Sequence, residues 1–585
     1  MKLHSIFLIV LLFLTSIKSI AIGYDSTYVL SIKQKFAIPE DISNGDVIGT
    51  WEKTYTWRSG NAIQYSIQSN FKAAFSIDAN SGLLKVVDAS KINGHITQQD
   101  TVINLIVRTV DKGLGYEDDT CEIRVKEKSF CFFIDCNYQG KEIGTRLQPF
   151  KDLNNVAIKP GYAYFIKRGT TTKNSYKIQG VQDSAKHPTI ISAYSAGNNP
   201  IFDGSGSPTN TEAFKFNNAP VPASYFYVYN IDVMNYPSMA FRINSKNSHF
   251  GFYNCSFKNN VHANIGKGLA DVYFFGDPND TLINWHHELI NMQSSGSWAP
   301  FLKADASGIN AYNIRSATAC RLPDKSYNFR FAISYFSSLS HFWFTGGERS
   351  LQVRYPFNTI TDGVITESSD AGIFLVSNPT YTGKPDNLVI KNVLFRGNDF
   401  GIFVYNSNIN NTTITNCLFD SNTNDGIYFH NGGTGPKIQY CTFANNGNDG
   451  IELNNNSQPS TNMELSFNLF YNNGAQAIKA SRNLCVRHLS IYNNTILGDI
   501  DVSGASNSLF ANNFYTRMKG VSSLTNCIAL DDSSKLNMYF VNAQKHDYRL
   551  KPDAFKGKFY SSSKMTSKNE QSKATGIGAF LPKDL

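Results

Sequence analysis

After Phe130 most of the chain alternates apolar and polar residues with a period of two, and the alternation restarts at regular intervals. Each restart is a Gly or Ala followed by Ile, and successive copies begin 29, 25, 24 and 27 residues apart. The copies are Gly372-Ile-Phe-Leu-Val, Gly401-Ile-Phe-Val-Tyr, Gly426-Ile-Tyr-Phe-His, Gly450-Ile-Glu-Leu-Asn and Ala477-Ile-Lys-Ala-Ser. A period of two predicts β-strands, and the Asn-Gly pairs that interrupt it exclude an amphipathic helix.

A second feature recurs upstream of these copies, a Phe followed three residues later by an Asn. A repeat of this length with three short strands predicts a parallel β-helix, whose coils stack about 4.8 Å apart so that like residues lie on like. We therefore expect a ladder of Asn amides, a stack of Phe rings, and buried, inert thiols at Cys255, Cys417 and Cys441. The Phe-to-Asn segments are Phe395 to Asn398, Phe419 to Asn422, Phe443 to Asn446 and Phe470 to Asn473.

The entrance to this region runs from Asn137 to Phe150, and the ending from Asp547 through Ala579. With the repeats between them, these segments resemble the secreted right-handed parallel β-helix (pectate-lyase-like) superfamily, over roughly 400 residues. The resemblance implies an all-β fold with a right-handed β-helix over residues 129–585. Polysaccharide lyases and hydrolases dominate that superfamily, and epimerases, tailspikes and adhesins are a minority, so the fold gives only a first expectation of function.

Residues 22–128 show a different pattern, in which short β-like runs are separated by Gly, Asn, Asp and Ser. This pattern predicts a small β-sandwich. The stretch Phe75-Ser-Ile-Asp78, followed by Ser81-Gly82-Leu83-Leu84-Lys85-Val86, resembles the centre of a cadherin repeat. Of the acidic residues with which that family binds calcium, only Glu40 has a clear counterpart. Because Ca²⁺ needs six or more oxygen ligands, a cadherin-type cage is not expected here.

The first 21 residues have the character of an export signal: Lys2, an apolar stretch from Ile6 to Leu14, and small residues up to Ala21. We therefore expect a secreted, periplasmic or cell-surface protein. No later stretch reaches the roughly 20 unbroken apolar residues of a membrane helix. Lys and Arg exceed Asp and Glu by 54 − 46 = 8, which favours an anionic partner such as an acidic polysaccharide. These basic residues form no stripe, which argues against nucleic acid, and we expect a monomer.

Chemistry on a packed β-helix must lie on an outward strand face or in its loops. The alternation predicts two outward columns that are aromatic at one end and ionisable at the other. We name His430, Tyr405, Arg354 and Lys479 as candidate catalytic residues, and Phe403, Tyr428, Glu452 and Asn454 as candidate substrate-binding residues. Aromatic faces stack on sugars, and histidine is the side chain whose ordinary pKa suits proton transfer near neutrality. The alternative is an aromatic-covered sheet whose Glu452, Lys479 and Asp501 form a cross-strand charge ladder.

A second cluster precedes these columns and contains Glu348, Asp362, Glu367 and Asp370. Such carboxylates could bind Ca²⁺, or act as acid and base in a glycoside hydrolase. Asp425 and Asp449 each follow an Asn and precede a Gly, and this recurrence assigns them to turn structure. The catalytic signatures of pectate lyases, alginate epimerases and polygalacturonases are missing from the sequence. We expect a lyase that cleaves a uronate-containing polysaccharide by β-elimination, and keep a non-catalytic adhesin or glycan-binding protein and a glycoside hydrolase as alternatives.

Overall fold

The fold was analysed in a computed structural model, which describes residues 34–52, 63–94, 99–111, 115–217, 221–261, 269–276, 286–297, 300–317, 327–331, 335–377, 383–454, 459–521, 524–530, 533–545 and 547–551. The predicted export signal, residues 1–21, lies outside these ranges. Within them, no helix is long and apolar enough to cross a membrane.

Two small sheets at the N-terminus enclose an apolar core that includes Trp51, Leu84 and Leu105. One sheet contains Gln34–Pro39, Gly115–Lys126, Asp100–Asp111 and Ile63–Ser69 in that spatial order, and the other contains Val47–Thr50, Leu83–Val86 and Phe75–Ile77. Short 3₁₀ turns span Phe71–Ala73, Ala89–Lys91 and Lys128–Phe130. This unit has the architecture of a β-sandwich, and its kinship with cadherin repeats stays a prediction.

From Cys131 onward the chain coils into three parallel sheets, which we call sheets I, II and III. Sheet I contains Tyr176–Ile178, Phe214–Phe216, Phe241–Ile243, Val272–Phe274, Leu302–Ala304, Tyr327–Phe331, Arg349–Val353, Ala371–Val376, Phe400–Tyr405, Ile427–Phe429, Ile451–Leu453 and the C-terminal ends of Leu469–Lys479, Thr495–Asp501 and Phe514–Lys519. Sheet II contains Cys131–Ile134, Ala163–Lys167, Thr189–Tyr194, Ser224–Tyr229, Ser248–Tyr253, Thr413–Thr415, Lys437–Gln439, Glu464–Ser466, Ser490–Tyr492, Leu509–Ala511 and Leu524–Thr525.

Sheet III follows sheet II along the chain in the coils from Ala163 onward. It contains Thr171–Thr172, Ile201–Asp203, Asp232–Met234, Ser256–Lys258, Leu418–Asp420, Thr442–Ala444, Ile528–Ala529 and the N-terminal ends of the last three strands named for sheet I. Five longer strands bend through the corner between sheets II and III and belong to both: His287–Ser295, Ile309–Ala317, Ser338–Thr345, Thr359–Thr366 and Val389–Arg396. Beside the sheets lie a 3₁₀ turn at Leu153–Asn155 and the short strands Ser460–Thr461, Val486–Arg487 and Ala505–Ser506.

The interior stacks of the β-helix are those that the sequence predicts. The rings of Phe395, Phe419, Phe443 and Phe470 lie 4.7 Å apart with interplanar angles of 0–7°. Asn398, Asn422, Asn446 and Asn473 form an amide ladder, in which each Nδ2 donates to the Oδ1 of the next. The three predicted thiols are buried and unbridged, and burial raises the pKa of Cys255 to about 12, so it stays protonated.

The corner between sheets II and III consists of a single residue with positive φ in most coils. Asn tolerates this left-handed conformation better than other non-glycine residues, because its short amide bonds locally. The corner residues are Asn230, Asn254, Asn291, Asn313, His341, Asp362, Asn392, Asn416, Tyr440, Phe467, Asn493, Asn512 and Asn526, with φ between 52° and 58°.

The N-terminal sandwich packs against this corner of the β-helix. Four corner amides donate to sandwich carbonyls: Asn230 to Ile48 at 2.8 Å, Asn254 to Lys35 at 3.2 Å, Asn291 to Thr50 at 3.2 Å and Asn313 to Glu52 at 2.6 Å. An apolar cluster of Ala37 with Phe165, Tyr229, Tyr253 and Ile290 fills the contact. The sandwich therefore lies along several coils of the β-helix rather than extending from its end.

The last coil is closed by the helix Ser533–Tyr539, a 3₁₀ turn at Ala543–Lys545 and the antiparallel pair Phe540–Asn542 and Asp547–Leu550. Phe514, Phe540 and Tyr548 pack together there. Capping of this kind removes the exposed strand edge that a repeat array otherwise leaves.

Candidate functional site

The outward face of sheet I carries the predicted column in register. Phe374 pairs with Phe403, Phe403 with Tyr428, Tyr428 with Glu452, and Glu452 with Lys479, each in the next coil. Lys479 pairs in turn with Asp501. Strand alternation holds these side chains on one face, as the sequence pattern indicates.

The aromatic end of this face is a continuous cluster. The rings of Phe403 and Tyr428 lie 5.2 Å apart, and those of Phe403 and Tyr405 lie 5.5 Å apart. Phe400 joins them at 5.0 Å from Phe403 and 5.3 Å from Tyr428. Phe400 is not part of the predicted column, because it precedes the recurring Gly-Ile pair and its outward direction depends on the corner geometry.

Tyr405 and His430 lie side by side at the edge of the cluster, with ring centroids 5.0 Å apart. Tyr405 is 38% exposed, His430 is half-buried, and the Nδ1 of His430 lies 3.0 Å from the Oδ1 of Asn431. Asn454 donates from Nδ2 to the phenol oxygen of Tyr428 at 2.9 Å. Burial raises the pKa of Tyr428, which keeps this phenol neutral.

The charged end is built around Lys479. Its Nζ lies 3.1 Å from Glu452 Oε1 and 3.2 Å from Asp449 Oδ2. Burial by itself would lower the pKa of Lys479, but the carboxylates of Asp449 and Glu452 outweigh it and raise that pKa. Lys479 is therefore an ammonium paired with Glu452, as in the charge-ladder alternative, and with Asp449, whereas Asp501 pairs with Lys519.

Asp425 and Asp449 accept hydrogen bonds within the turns, in keeping with their assignment to turn structure. Asp425 Oδ1 accepts from the backbone N–H of Asp449 at 2.8 Å, and Asp449 Oδ1 accepts from that of Gln476 at 2.7 Å. The structure adds what spacing did not show: the carboxylates of Asp425, Asp449 and Glu452 lie within 4.8 Å of one another. Burial, reinforced by the charges of Asp449 and Glu452, raises the pKa of Asp425 to about 7.

The four carboxylates proposed as a metal site are not brought together. Glu348 and Asp370 flank Arg349 beside sheet I, Asp362 is a corner residue that accepts from Asn392, and Glu367 lies beyond sheet III near Thr345. Among the described residues, the group with metal-like geometry is the Asp425, Asp449 and Glu452 cluster, and the ammonium of Lys479 contacts two of its members. An ammonium so placed competes with a cation.

Arg354 directly follows the sheet I strand Arg349–Val353 and is half-buried. Val353, the residue before Arg354, pairs with Leu375, and Leu375 pairs with Val404, the residue before Tyr405. Arg354 therefore lies two coils before Tyr405 in the same outward column. The candidate residues from Arg354 to Lys479 thus share one face of sheet I.

A family model described as a right handed beta helix region matches residues 344–496. The fold is a right-handed parallel β-helix, as predicted. No curated protein matches the chain in sequence.

Several solved structures have a similar arrangement. A lacto-N-biosidase of glycoside hydrolase family 136 from Eubacterium ramulus is 13% identical, with 68% of this chain and 67% of that chain covered and a TM-score of 0.33. The tailspike protein of E. coli bacteriophage HK620, solved with a pentasaccharide, is 8% identical over 62% and 72% of the two chains, with a TM-score of 0.39. The pectate lyase Pel9A is 16% identical over 77% and 96%, with a TM-score of 0.29.

Proposed function

We propose that this protein is a carbohydrate-active β-helix protein that holds a polysaccharide along the outward face of sheet I and cleaves it by β-elimination. The observation that carries the proposal is the adjacent pair of Tyr405 and His430 at the exposed edge of an aromatic cluster. Aromatic rings offer the apolar faces on which sugars stack, and the coils repeat at about 4.8 Å, close to the length of one sugar residue.

β-Elimination from a uronate requires a base, an acid and a positive group. The base removes the C5 proton, the electron pair left behind forms the C4–C5 double bond, and the C4–O bond breaks as an acid protonates the departing oxygen. We assign the base and the acid to His430 and Tyr405, which lie together and provide a proton acceptor and a proton donor. Arg354, which lies two coils before Tyr405 in the same outward column, is the cation we propose for the uronate carboxylate.

One observation favours hydrolysis as a second candidate. Asp425 has a pKa of about 7 and lies beside Asp449 and Glu452, and a protonated acid next to an ionised carboxylate is the arrangement that glycosidases use. Asp425 and Asp449 are almost completely buried and bond to the backbone, whereas Tyr405 is exposed. A group that protonates a glycosidic oxygen must reach it, so we favour the Tyr405 and His430 pair.

To test this, the protein is incubated with alginate, pectate and glycosaminoglycans. Two quantities are followed: the ultraviolet absorbance of unsaturated uronates and the number of new reducing ends. We expect both signals with at least one polymer, and His430→Ala and Tyr405→Phe should each lower kcat about 100-fold or more. His488→Ala and Tyr440→Phe are matched controls, since both side chains are exposed away from sheet I and should leave kcat unchanged.

Other results assign the protein to another class. New reducing ends without absorbance indicate hydrolysis, and Asp425→Asn then becomes the decisive variant. Binding without either signal indicates a non-catalytic adhesin or glycan-binding protein. If elimination occurs but both variants keep full turnover at an unchanged melting temperature, the column is only a covered sheet, and the site must be sought around Glu348 and Asp370.

A further inference from the structure

Among the described residues, sheet III carries a groove that is separate from the face of sheet I. Its volume is about 410 Å³, and residues of three successive coils line it. Gln293 pairs with Arg315 and Arg315 with Trp343, while Ser295, Ala317 and Thr345 pair in the same way two residues further along. The groove therefore contains two parallel columns of side chains. Gln293, Arg315 and Trp343 form a column of large side chains, and Ser295, Ala317 and Thr345 form a column of small ones.

Trp343 is the unusual residue in this groove. It is 40% exposed, whereas the residues that continue its column in the next coils, Val364 and Leu394, are buried. A large aromatic side chain exposed on a rigid strand and flanked by polar neighbours offers an apolar face with a fixed orientation. Such a face contributes binding free energy with little loss of side-chain entropy.

The sandwich contacts two of the residues that line the groove, Arg315 and Gln293, through Glu52. Its Oε1 lies 2.7 Å from the Nη1 of Arg315, and its Oε2 accepts from the Nε2 of Gln293 at 3.1 Å. The backbone carbonyl of Glu52 accepts from Asn313, one of the corner amides that fix the sandwich to the β-helix. The guanidinium, the amide and the carboxylate are thus held in a fixed arrangement beside the Trp343 ring.

The charges in the groove balance. Arg315 forms an ion pair with Glu52, and the other described residues that line the groove carry no charge. A phosphate, a uronate or a nucleic acid would therefore find no net positive charge, and the Glu52 carboxylate would repel it. An uncharged ligand with many hydroxyl groups fits better, since it can stack one ring on Trp343 and exchange hydrogen bonds with paired polar groups.

The geometry points to a second carbohydrate-binding site, which takes an uncharged hexose or pentose oligosaccharide across Gln293, Arg315 and Trp343 at the junction of sheet III and the sandwich. The coil spacing of about 4.8 Å lets neighbouring sugars meet neighbouring coils. This site is distinct from the proposed sheet I site, and its role is binding without turnover. It gives the docked sandwich a function, because Glu52 holds the side chains of Arg315 and Gln293 in place.

To test this, the full-length protein is titrated in a calorimeter with the uncharged hexamers cellohexaose, xylohexaose and mannohexaose. Hexamers of galacturonate and mannuronate are the acidic ligands for comparison. We expect at least one uncharged hexamer to bind. Trp343→Ala should weaken it about tenfold, and Trp343→Phe should recover most of the loss because the ring face remains. Tyr440→Ala is the matched control, since Tyr440 is 39% exposed at the corner of sheets II and III and outside the groove.

Two further variants separate this proposal from the function proposed for sheet I. His430→Ala should leave the binding of the uncharged hexamer unchanged. Glu52→Gln should raise the affinity for the acidic hexamers relative to the uncharged ones, because Arg315 loses its counter-charge. The proposal is overturned if no uncharged hexamer binds in a Trp343-dependent way, or if the acidic hexamers bind the wild type more tightly there. It is also overturned if Trp343→Ala abolishes self-association of the wild type in sedimentation, since the groove is then a contact between two copies.

Discussion

Asn422 and Asp425 are three residues apart in one coil, and each belongs to a ladder of side chains that runs along the β-helix. In the amide ladder, Asn422 donates to Asn446 at 2.8 Å, and Asn446 donates to Asn473 at 2.8 Å. In the carboxylate ladder, Asp425 accepts from the backbone of Asp449, which itself accepts from that of Gln476. Both ladders satisfy buried backbone N–H groups, but only the amide ladder is uncharged.

The difference follows from what each side chain can do. An amide both donates and accepts, so a column of amides satisfies itself and carries no charge. A carboxylate only accepts, so two stacked carboxylates repel each other and need a cation or a proton. The structure provides both, because Lys479 contacts Asp449 and the pKa of Asp425 rises to about 7. The amide ladder is therefore a source of stability, while the carboxylate ladder depends on its neighbours and on pH.

Breaking the amide ladder should have the largest effect. Asn446→Ala removes donors to Asn473 and to the carbonyl of Phe419, and leaves Asn422 without its acceptor. Because these groups are buried, we expect the free energy of unfolding to fall by about 3 kcal/mol. Denaturant unfolding measures this change, with Thr423→Ala as a control that removes an exposed hydroxyl. If Asn446→Ala lowers the free energy of unfolding no more than Thr423→Ala does, water replaces the Asn446 amide without loss of stability.

Removing the cation from the carboxylate ladder should have the next largest effect. Lys479→Met leaves Asp449 and Glu452 without their ammonium, and we expect a loss of about 2 kcal/mol at neutral pH, since one partner of a partly buried pair is left behind. The matched control is Lys437→Met, which removes an exposed ammonium 3.9 Å from Glu464 and should cost less than about 0.5 kcal/mol. Equal losses in the two variants would show that Asp449 does not require Lys479.

The smallest effect should appear in the pH dependence. Asp425 has a pKa of about 7 when folded, against an ordinary value of 3.8, so the folded state binds the extra proton between these values. Asp425 should therefore make stability fall as pH rises from about 4 to about 7, in addition to the fall due to Asp271, whose pKa burial raises to about 6. Asp425→Asn removes its part of this fall and should be more stable than the wild type by about 1–2 kcal/mol above pH 7.

Unfolding curves at several pH values measure this slope. Asp499→Asn, at a half-exposed carboxylate paired with Arg517, is the control and should keep the wild-type slope. If Asp425→Asn keeps it as well, Asp425 is ionised in the folded protein throughout this range, and the distinction between the two ladders then rests on Lys479 alone.

The sequence by itself determined the features that repeat. A β-helix places residue i above its counterpart one coil later, so a recurring Phe, Asn or Gly-Ile pair defines its own neighbours. The register of Phe374, Phe403, Tyr428, Glu452 and Lys479 could therefore be read from spacing alone. The same reasoning predicted the inward position of Cys417 and Cys441.

Only the tertiary structure decided the features that do not repeat. The contact of Glu52 with Arg315, and of Asn313 with Glu52, joins residues more than 250 positions apart that no periodicity relates. The gathering of Asp425, Asp449 and Glu452 around Lys479 depends on how the corner before sheet I turns, and spacing does not report that angle. Glu348 and Asp370 lie together beside sheet I, whereas Asp362 and Glu367, although close to them in sequence, lie elsewhere, because a coil of three sheets separates residues that follow one another along the chain. The sequence period determines which residues stack along the axis of the β-helix. The docking of the sandwich, the angles of the corners and the pairing of charges depend on contacts that form only in the tertiary structure.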